Sequence, residues 1–489
     1  MPDLVLTGGR VVDPATGLDA VRNVAIEDGR IVSVTEEPVP DARQTIDVAG
    51  AVVAPGFIDL HSHTHSIAGH RLQALDGVTT ALDLEAGLSP VDEGYRAAAE
   101  QGRPLNYGFS ASWGVVRMHV VDDIPLDGRL GTFLDNISSP TWQQETGAAS
   151  VGRILDLLGT DLDNGALGVG MLMGYAQGVD PGEYVDVARL ADTAGTALFT
   201  HARDLVEDTP DVRIDGANEI VRTAAETGAR MHYCHVNSTS RRRLDRVHDL
   251  VTRAVQEGAR VSTEAYPYGA GSTGIGAVFL APDRLTNWGL TPSAITYVPT
   301  GERIADAARL QELREKDPGG LVIVDFLDED KPEDREYLLR ALEYPGAMIA
   351  SDAMPITWRD ERPDPNAWPI AGNGVTHPRT AGTYAKSYRW LVRETGRMSL
   401  IEFVSRASTY PARFLAEFSP AMRTKGSVRS GYDADLVVFD AEALTDQATY
   451  TDSTRTSTGV RHVFVNGTAV VRDGAIVLDA FPGRPIRSG

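Results

Sequence analysis

Short apolar runs alternate with helical patterns through the middle of this 489-residue chain. Segments such as VGRILDLLGTDLD and GEYVDVARLADTAG have helical periodicity and separate the runs. Strands that alternate with helices predict a (β/α)8 TIM barrel, with a doubly wound open sheet as the alternative. The eight candidate strands are GFIDLH (56–61), VTTALDLE (78–85), LNYGFSAS (105–112), ALGVGML (166–172), ALFTHAR (197–203), ARMHYCH (229–235), RVSTEAY (260–266) and GAMIASD (346–352).

Both ends of the chain have a different pattern, in which apolar and polar residues alternate and break at Gly or Asp. LVLTGGRVVD and VRNVAIEDGRIVSVT are examples near the start, and ADLVVFDAEAL and GVRHVFVNGTAVVRDGAIV lie near the end. This alternation is typical of antiparallel hairpins. We therefore expect residues 1–55 and 425–489 to form a small β-sandwich domain, and residues 56–424 to form the barrel. The stretch of about 269–342 is too long for one crossover and predicts an inserted subdomain or lid.

Composition and charge argue against a nucleic-acid-binding protein and a membrane protein. The formal net charge is −22, from 68 acidic and 46 basic residues, so the surface repels nucleic acid and anionic membranes. No stretch approaches the roughly 18 apolar residues of a membrane span, and a Gly-Gly-Arg turn interrupts the start where a signal peptide needs its apolar core. The single cysteine fits a reducing compartment. We expect a cytoplasmic protein that acts on a small molecule and binds neither nucleic acid nor membrane. A homo-oligomer is compatible with this sequence.

Four histidines have the placement of metal ligands. His61 and His63 are two residues apart at the end of the first run, where the strand period of two puts both rings on one face. His201 and His235 each end a later run. A barrel presents the carboxyl ends of its strands around one mouth, so these four side chains can converge on one or two ions.

Asp352 ends the last run and supplies an acid at the same kind of position. A carboxylate there can move a proton between an attacking water and a leaving group, although Asp is also common at the start of a turn. His232, three residues before His235, should face the surrounding helices, and Cys234 should face away from the mouth.

These motifs together resemble the amidohydrolase superfamily. The match consists of HxH after the first strand, single histidines after the fifth and sixth, and an aspartate after the eighth. APGFIDLHSH, DGVTT and KGSVRSGYDADLVVFD flank them. Within the superfamily the chain is most similar to N-acyl-D-amino-acid deacylases, through NGALGVGMLMGYAQG, EAYPYGAG, THPRTAGTYAKSYR and ASTYPARFL. The resemblance implies a TIM barrel with a terminal β-sandwich, one or two zinc or other divalent ions, and hydrolysis of non-peptide C–N bonds.

The resemblance also implies substrate contacts. It places His377 and Arg379 of the HPR segment beside the substrate, where Arg379 can pair with a substrate carboxylate; a surface salt bridge is the alternative. Tyr175 is a further candidate for substrate contact.

The chain departs from the resemblance at three points. Many superfamily members bridge two metals with a carboxylated lysine, but the first lysine here is Lys316. Other deacylases use a cysteine after the second strand, where this chain offers Glu85 as a bridging ligand or as a structural residue. The deacylases also carry a lysine shortly after the sixth-strand histidine, and Asn237 and Ser238 occupy that stretch here.

The functional hypothesis is deacylation of an N-acyl-D-amino acid or a related N-acyl compound. His61 and His63 would bind the more buried ion, and His201 and His235 the more exposed one. Glu85 would touch both, and Asp352 would act as general acid and base while also contacting metal. A cyclic amide hydrolase of the dihydroorotase or hydantoinase kind and a deaminase are alternatives. A non-catalytic scaffold is the remote one.

Overall fold

The computed structural model describes residues 1–359 and 364–489. In chain order the strands are β1 (Leu4–Asp13), β2 (Leu18–Glu27), β3 (Arg30–Thr35), β4 (Gln44–Asp47), β5 (Val52–Pro55), β6 (Phe57–Asp59), β7 (Val78–Leu88), β8 (Asn106–Ser112), β9 (Val169–Leu172), β10 (Ala197–His201), β11 (Arg230–Tyr233), β12 (Val261–Ala265), β13 (Ala270–Gly274), β14 (Ile295–Tyr297), β15 (Glu302–Arg303), β16 (Leu321–Asp325), β17 (Met348–Ile349), β18 (Thr357–Trp358), β19 (Gly374–Val375), β20 (Leu436–Phe439), β21 (Val460–Val465), β22 (Thr468–Arg472) and β23 (Ala475–Ile476).

The α-helices alternate with the strands through the middle of the chain. They are α1 (Ile67–Ala74), α2 (Val91–Gln101), α3 (Trp113–Asp122), α4 (Leu130–Asn136), α5 (Ala148–Asp163), α6 (Pro181–Thr193), α7 (Gly216–Thr227), α8 (Val236–Ser240), α9 (Leu244–Gln256), α10 (Ala307–Lys316), α11 (Pro332–Glu343), α12 (Arg379–Tyr388), α13 (Leu400–Val404) and α14 (Tyr410–Ala416). Helix α7 shows how the sequence sets such bounds. The Asp215 side chain accepts from the Asn218 N–H at the start, and Gly228 ends the helix with a left-handed φ of 75°.

Eight strands form the parallel sheet that the apolar runs predict. Its order is β6-β7-β8-β9-β10-β11-β12-β17, and neighbouring strands run parallel, as where Ala197 of β10 lies opposite Arg230 of β11. Each strand lies inside one of the eight predicted runs or overlaps it. The order follows the chain except for the inserted β13–β16, which is the order of a (β/α)8 barrel. The TIM barrel expectation is confirmed, and the open sheet is not observed.

The two ends of the chain meet in one sheet of nine strands. Its order is β23-β22-β21-β20-β5-β1-β2-β3, with β4 paired to β1. Strand β20 joins the two ends because it pairs antiparallel with β5, Leu436 lying opposite Pro55. Apolar residues from both ends, among them Leu6 and Phe464, share one buried cluster. The expectation that the termini build one β-structure together is confirmed.

The inserted segment between β12 and β17 contains an antiparallel sheet of its own, in the order β13-β16-β14-β15. Helices α10 and α11 follow β15 and β16 respectively. This confirms the inserted subdomain expected near the last barrel strands, while its bounds of about 269–342 stay a prediction.

The chain divides into two compact units. The first unit contains residues 1–82, 98–108 and 348–486, and the second contains 83–97, 109–347 and 487–489. These bounds differ from the domain bounds expected from the sequence, which stay a prediction. No helix within the described residues is both long enough and apolar enough to cross a membrane.

Candidate metal centre

The first unit brings His61, His63 and Asp352 together at strand ends. The Nε2 atoms of the two histidines are 3.0 Å apart. Asp352 Oδ1 lies 3.4 Å from His61 Nε2 and 3.5 Å from His63 Nε2. All three residues are buried, so the three ligand atoms converge away from bulk water.

This spacing fits a bound metal ion. Zinc holds imidazole nitrogen at about 2.0–2.1 Å, so two ligand atoms on one tetrahedral ion lie roughly 3.3 Å apart. The three observed separations are close to that value. Two imidazoles and a carboxylate are also a donor set that suits zinc.

Asp59 forms hydrogen bonds that hold the backbone around this cluster. Its carboxylate accepts hydrogen bonds from the N–H groups of His61 (3.2 Å) and Ser351 (3.0 Å), from the Ser351 hydroxyl, and from Gln73 Nε2 (2.7 Å). Burial raises the pKa of Asp59 to about 6, and the Ser351 hydrogen bonds oppose the rise. Asp59 therefore ties the chain before His61 to the chain before Asp352. Sequence reasoning missed this role, although a carboxylate inside the apolar run GFIDLH was a visible signal.

Arg379 and His377 lie beside Asp352. Arg379 Nε donates to the Asp352 carbonyl oxygen at 2.5 Å, and its Nη2 is 2.9 Å from Asp352 Oδ2. The Arg379 N–H donates to His377 Nδ1 at 3.1 Å, and the His377 ring meets Tyr450 edge-on at 5.4 Å. Arg379 is fully buried, which excludes the alternative of a surface salt bridge. Its pairing with a substrate carboxylate stays a prediction.

The second unit brings Glu85, His201 and His235 together. Glu85 Oε1 is 2.6 Å from His235 Nε2 and 3.1 Å from His201 Nδ1. Ser238 Oγ lies 2.9 Å from His235 Nδ1, so Nε2 is the nitrogen that faces the carboxylate. The carboxylate oxygen is therefore within hydrogen-bond distance of both rings, and all three side chains are of kinds that bind zinc. The role of Glu85 as a metal ligand stays a prediction.

A second carboxylate, that of Glu264, forms hydrogen bonds with the backbone of His235 and the ring of His232. Its Oε1 accepts from the His235 N–H at 3.3 Å, and its Oε2 is 3.0 Å from His232 Nε2. His232 Nδ1 is 2.8 Å from Ser262 Oγ, so both nitrogens of this fully buried ring have polar partners. Sequence reasoning missed Glu264, although the run RVSTEAY has this acid near the end of a predicted barrel strand.

The expected direction of His232 was wrong. Its Cα is paired with that of Phe199, and their rings are 5.6 Å apart. The next residue after Phe199, Thr200, faces the helices because its hydroxyl bonds Tyr184 of α6 at 2.8 Å. His232 therefore faces the opposite side. The inference failed because His235 lies beyond the end of β11 with a positive φ of 30°, where strand periodicity no longer holds.

Cys234 also differs from expectation. Its sulfur lies within 4.8 Å of a Glu264 carboxylate oxygen, close enough for both to be possible ligands of one ion. It is buried, and its position beside Glu264 differs from the expectation that Cys234 faces away from the barrel mouth.

Tyr175 lies against the second cluster, on the turn that follows β9. Its ring is 4.8 Å from the His201 ring, and its hydroxyl is 2.9 Å from Thr273 Oγ1. The fully buried Arg203 holds this turn by donating to the carbonyls of Ala176 and Val179. Contact between Tyr175 and the substrate stays a prediction.

A parallel barrel that brings His61, His63 and Asp352 together is the framework of a metal-binding enzyme. Residues 44–113 and 185–471 match the amidohydrolase family, so the chain belongs to that family. It is 26% identical to D-aminoacylase of Alcaligenes xylosoxydans xylosoxydans, over 97% of this chain and 95% of that protein. It is also 26% identical to N-acyl-D-glutamate deacylase of the same organism, over 96% of this chain and 93% of the relative.

Two solved structures share the fold over essentially the full length. One is D-aminoacylase, studied for the functional role of its binuclear metal centre, with a TM-score of 0.78, 24% identity and full coverage of both chains. The other is N-acyl-D-glutamate deacylase of Bordetella bronchiseptica complexed with zinc and a phosphonate mimic of the tetrahedral intermediate. It has a TM-score of 0.76 and 23% identity, and 99% of each chain is covered.

Proposed function

We propose that this protein is a zinc-dependent deacylase that hydrolyses the amide bond of N-acyl-D-amino acids. The convergence of the His61, His63 and Asp352 ligand atoms at strand ends carries the proposal. The similarity to D-aminoacylase and N-acyl-D-glutamate deacylase over nearly the whole chain supports the substrate class.

His61, His63 and Asp352 would hold one ion. Glu85, His201 and His235 would hold a second. When bound, such an ion supplies Lewis acidity that polarises the amide carbonyl and acidifies the attacking water.

Asp352 moves the proton. Arg379 holds its Oδ2 at 2.9 Å, and its Oδ1 lies beside the two histidines, so the carboxylate is placed to accept the proton of the attacking water. The same carboxyl group then returns the proton to the amide nitrogen, because an unprotonated amine leaves too poorly to complete the hydrolysis. Arg379 keeps the carboxylate aimed through both steps.

Tyr175, His377 and Arg379 are the proposed substrate contacts. The fixed Tyr175 ring beside His201 orients the substrate, and the guanidinium of Arg379 attracts the carboxylate of an N-acyl amino acid. We further propose that the protein acts in the cytoplasm, with small molecules as its partners.

The test is the release of free amino acid from paired N-acetyl-D- and N-acetyl-L-amino acids by the zinc-loaded protein. We expect turnover of the D series, and its loss after chelation with recovery on adding zinc. Release from neither series would refute the deacylase proposal. Ring opening of cyclic amides such as hydantoins would then identify the alternative hydrolase class.

A further inference from the structure

Aromatic rings cover one side of the His201 ligand. The Tyr175 ring is 4.8 Å from His201, and the Phe279 ring stacks parallel to it at 6.1 Å with an interplanar angle of 12°. Tyr175 and Phe279 meet edge-on at 5.1 Å. Two different elements supply these rings, the turn after β9 and the segment after β13.

Two more rings extend this surface. Phe133 of α4 meets Tyr175 at 5.6 Å, and Trp288 stacks on Phe279 at 5.0 Å. We call Phe133, Tyr175, Phe279 and Trp288 the aromatic wall. Trp288 is the most exposed of the four, and the others are nearly buried. The wall therefore leads from a metal ligand towards solvent.

Hydrogen bonds to neighbouring backbone hold the wall in place. Arg314 Nη1 donates to the carbonyls of Ile275 (2.5 Å) and Ala277 (2.7 Å), which fixes the segment that leads into Phe279. Arg203 holds the turn that carries Tyr175 in the same way. A wall fixed before the substrate binds loses little conformational entropy on binding.

The polar atoms at the wall already have partners within the protein. The Tyr175 hydroxyl bonds Thr273, and Trp288 Nε1 donates to Asp204 Oδ1 at 3.3 Å. The Arg241 guanidinium lies 4.3 Å from the Trp288 ring and is paired with Asp208. A carboxylate brought against these rings would lose its hydration shell, which disfavours acidic groups.

We propose that the aromatic wall binds an apolar group of the substrate, attached to the amide that is hydrolysed. This inference rests on the proposed deacylase function and selects apolar over acidic substrates within it. The group is either the amino-acid side chain or the acyl chain, since both flank the scissile bond.

The contribution of such a contact is measurable. A hydrophobic pocket discriminates a larger apolar group from a smaller one by about 10- to 200-fold in kcat/KM. We therefore expect the zinc-loaded protein to hydrolyse N-acetyl-D-leucine or N-phenylacetyl-D-alanine at least about tenfold more efficiently than N-acetyl-D-alanine. N-acetyl-D-aspartate, close in shape to the leucine compound, should be the poorest of the four.

Phe279→Ala and the milder Phe279→Leu test the wall itself. Both should reduce the ratio of kcat/KM for the preferred apolar substrate to that for N-acetyl-D-alanine, with the larger loss in Phe279→Ala. Phe481→Ala, which removes an exposed ring in the first unit, is the matched control and should leave the ratio unchanged. The leucine and phenylacetyl arms tell the side chain from the acyl chain as the source of the contact.

The contrary outcomes are distinct. A preference for the aspartate compound, no gain from either apolar substrate, or a gain that survives in both Phe279 variants would overturn the inference alone. Turnover in none of the four arms would refute the proposed deacylase function, and the inference with it.

Discussion

Two residues of the candidate site, His235 and Asp352, have backbone angles that side-chain-bearing residues rarely adopt. Their φ angles are 30° and 53°. Such conformations cost of order 1–3 kcal/mol each and persist where surrounding contacts hold them. Here Glu264 and Ser238 bond His235, and Arg379 bonds both the carbonyl and the carboxylate of Asp352. Each turn redirects a polar side chain at the point where its strand ends.

Asp352→Asn isolates proton transfer from metal binding. The amide keeps the shape of the side chain and one oxygen, but it does not accept a proton at neutral pH. Because general acid–base catalysis contributes about 10²- to 10⁴-fold, we expect kcat to fall by about that factor or more. Zinc content should stay near that of the wild type, since His61 and His63 remain.

Steady-state kinetics and elemental analysis on the same preparation check this prediction, with the exposed Asp211→Asn as control. Parallel loss of zinc and activity would show that Asp352 is chiefly a ligand.

At the scale of elements, strands β11 and β12 contribute His232 and Glu264, a polar pair that lies next to His235. Glu264 of β12 bonds His232 of β11 and the His235 N–H beyond it. Groups that support metal ligands in this way typically change metal affinity by about 10- to 100-fold. The two strands therefore help to fix His235 before any ion binds.

Glu264→Ala should weaken zinc binding by about 10- to 100-fold at one of two sites. Glu264→Gln should recover part of the loss, because its amide oxygen still accepts from the His235 N–H. Competition titration with a chromophoric chelator measures both affinities, and exposed Glu257→Ala is the control. Equal zinc affinity in all three variants would contradict a positioning role for Glu264.

The sequence predicts those features that depend only on where a residue lies along the chain. The eight apolar runs mark the eight barrel strands because a strand covered by helices must be apolar along its length. His61, His201 and Asp352 could be placed for the same reason. Asp59, Glu264 and His232 could not, because their roles depend on partners more than ten residues away in sequence. A polarity pattern contains no information about such partners.

At the scale of the whole molecule, a buried acid away from the candidate site links stability to pH. Asp76 precedes β7 and accepts hydrogen bonds from the N–H groups of Tyr384 (2.7 Å) and Ala385 (3.1 Å) and from the Ser457 hydroxyl (2.8 Å). Burial raises the pKa of Asp76 to about 8, against an ordinary value of 3.8. Between these two values the folded chain binds more protons at this position than the unfolded chain does.

The free energy of unfolding should therefore decrease as the pH rises from 5 to 8. Asp76 contributes up to about 1.4 kcal/mol per pH unit to this slope. Asp76→Asn cannot ionise and should have a shallower slope over that interval, whereas Asp156→Asn, an exposed change, should keep the wild-type slope. Urea unfolding at four pH values tests this, and equal slopes in all three proteins would contradict it.

The pairing of β5 with β20 has a consequence for synthesis on the ribosome. Strand β5 ends at Pro55, and its partner strand β20 begins only at Leu436. Nearly the whole barrel is therefore translated before this edge of β5 can be paired. An open strand edge is a template for pairing with another chain. Nascent or prematurely terminated chains that stop before Leu436 should therefore depend on chaperones to stay out of aggregates.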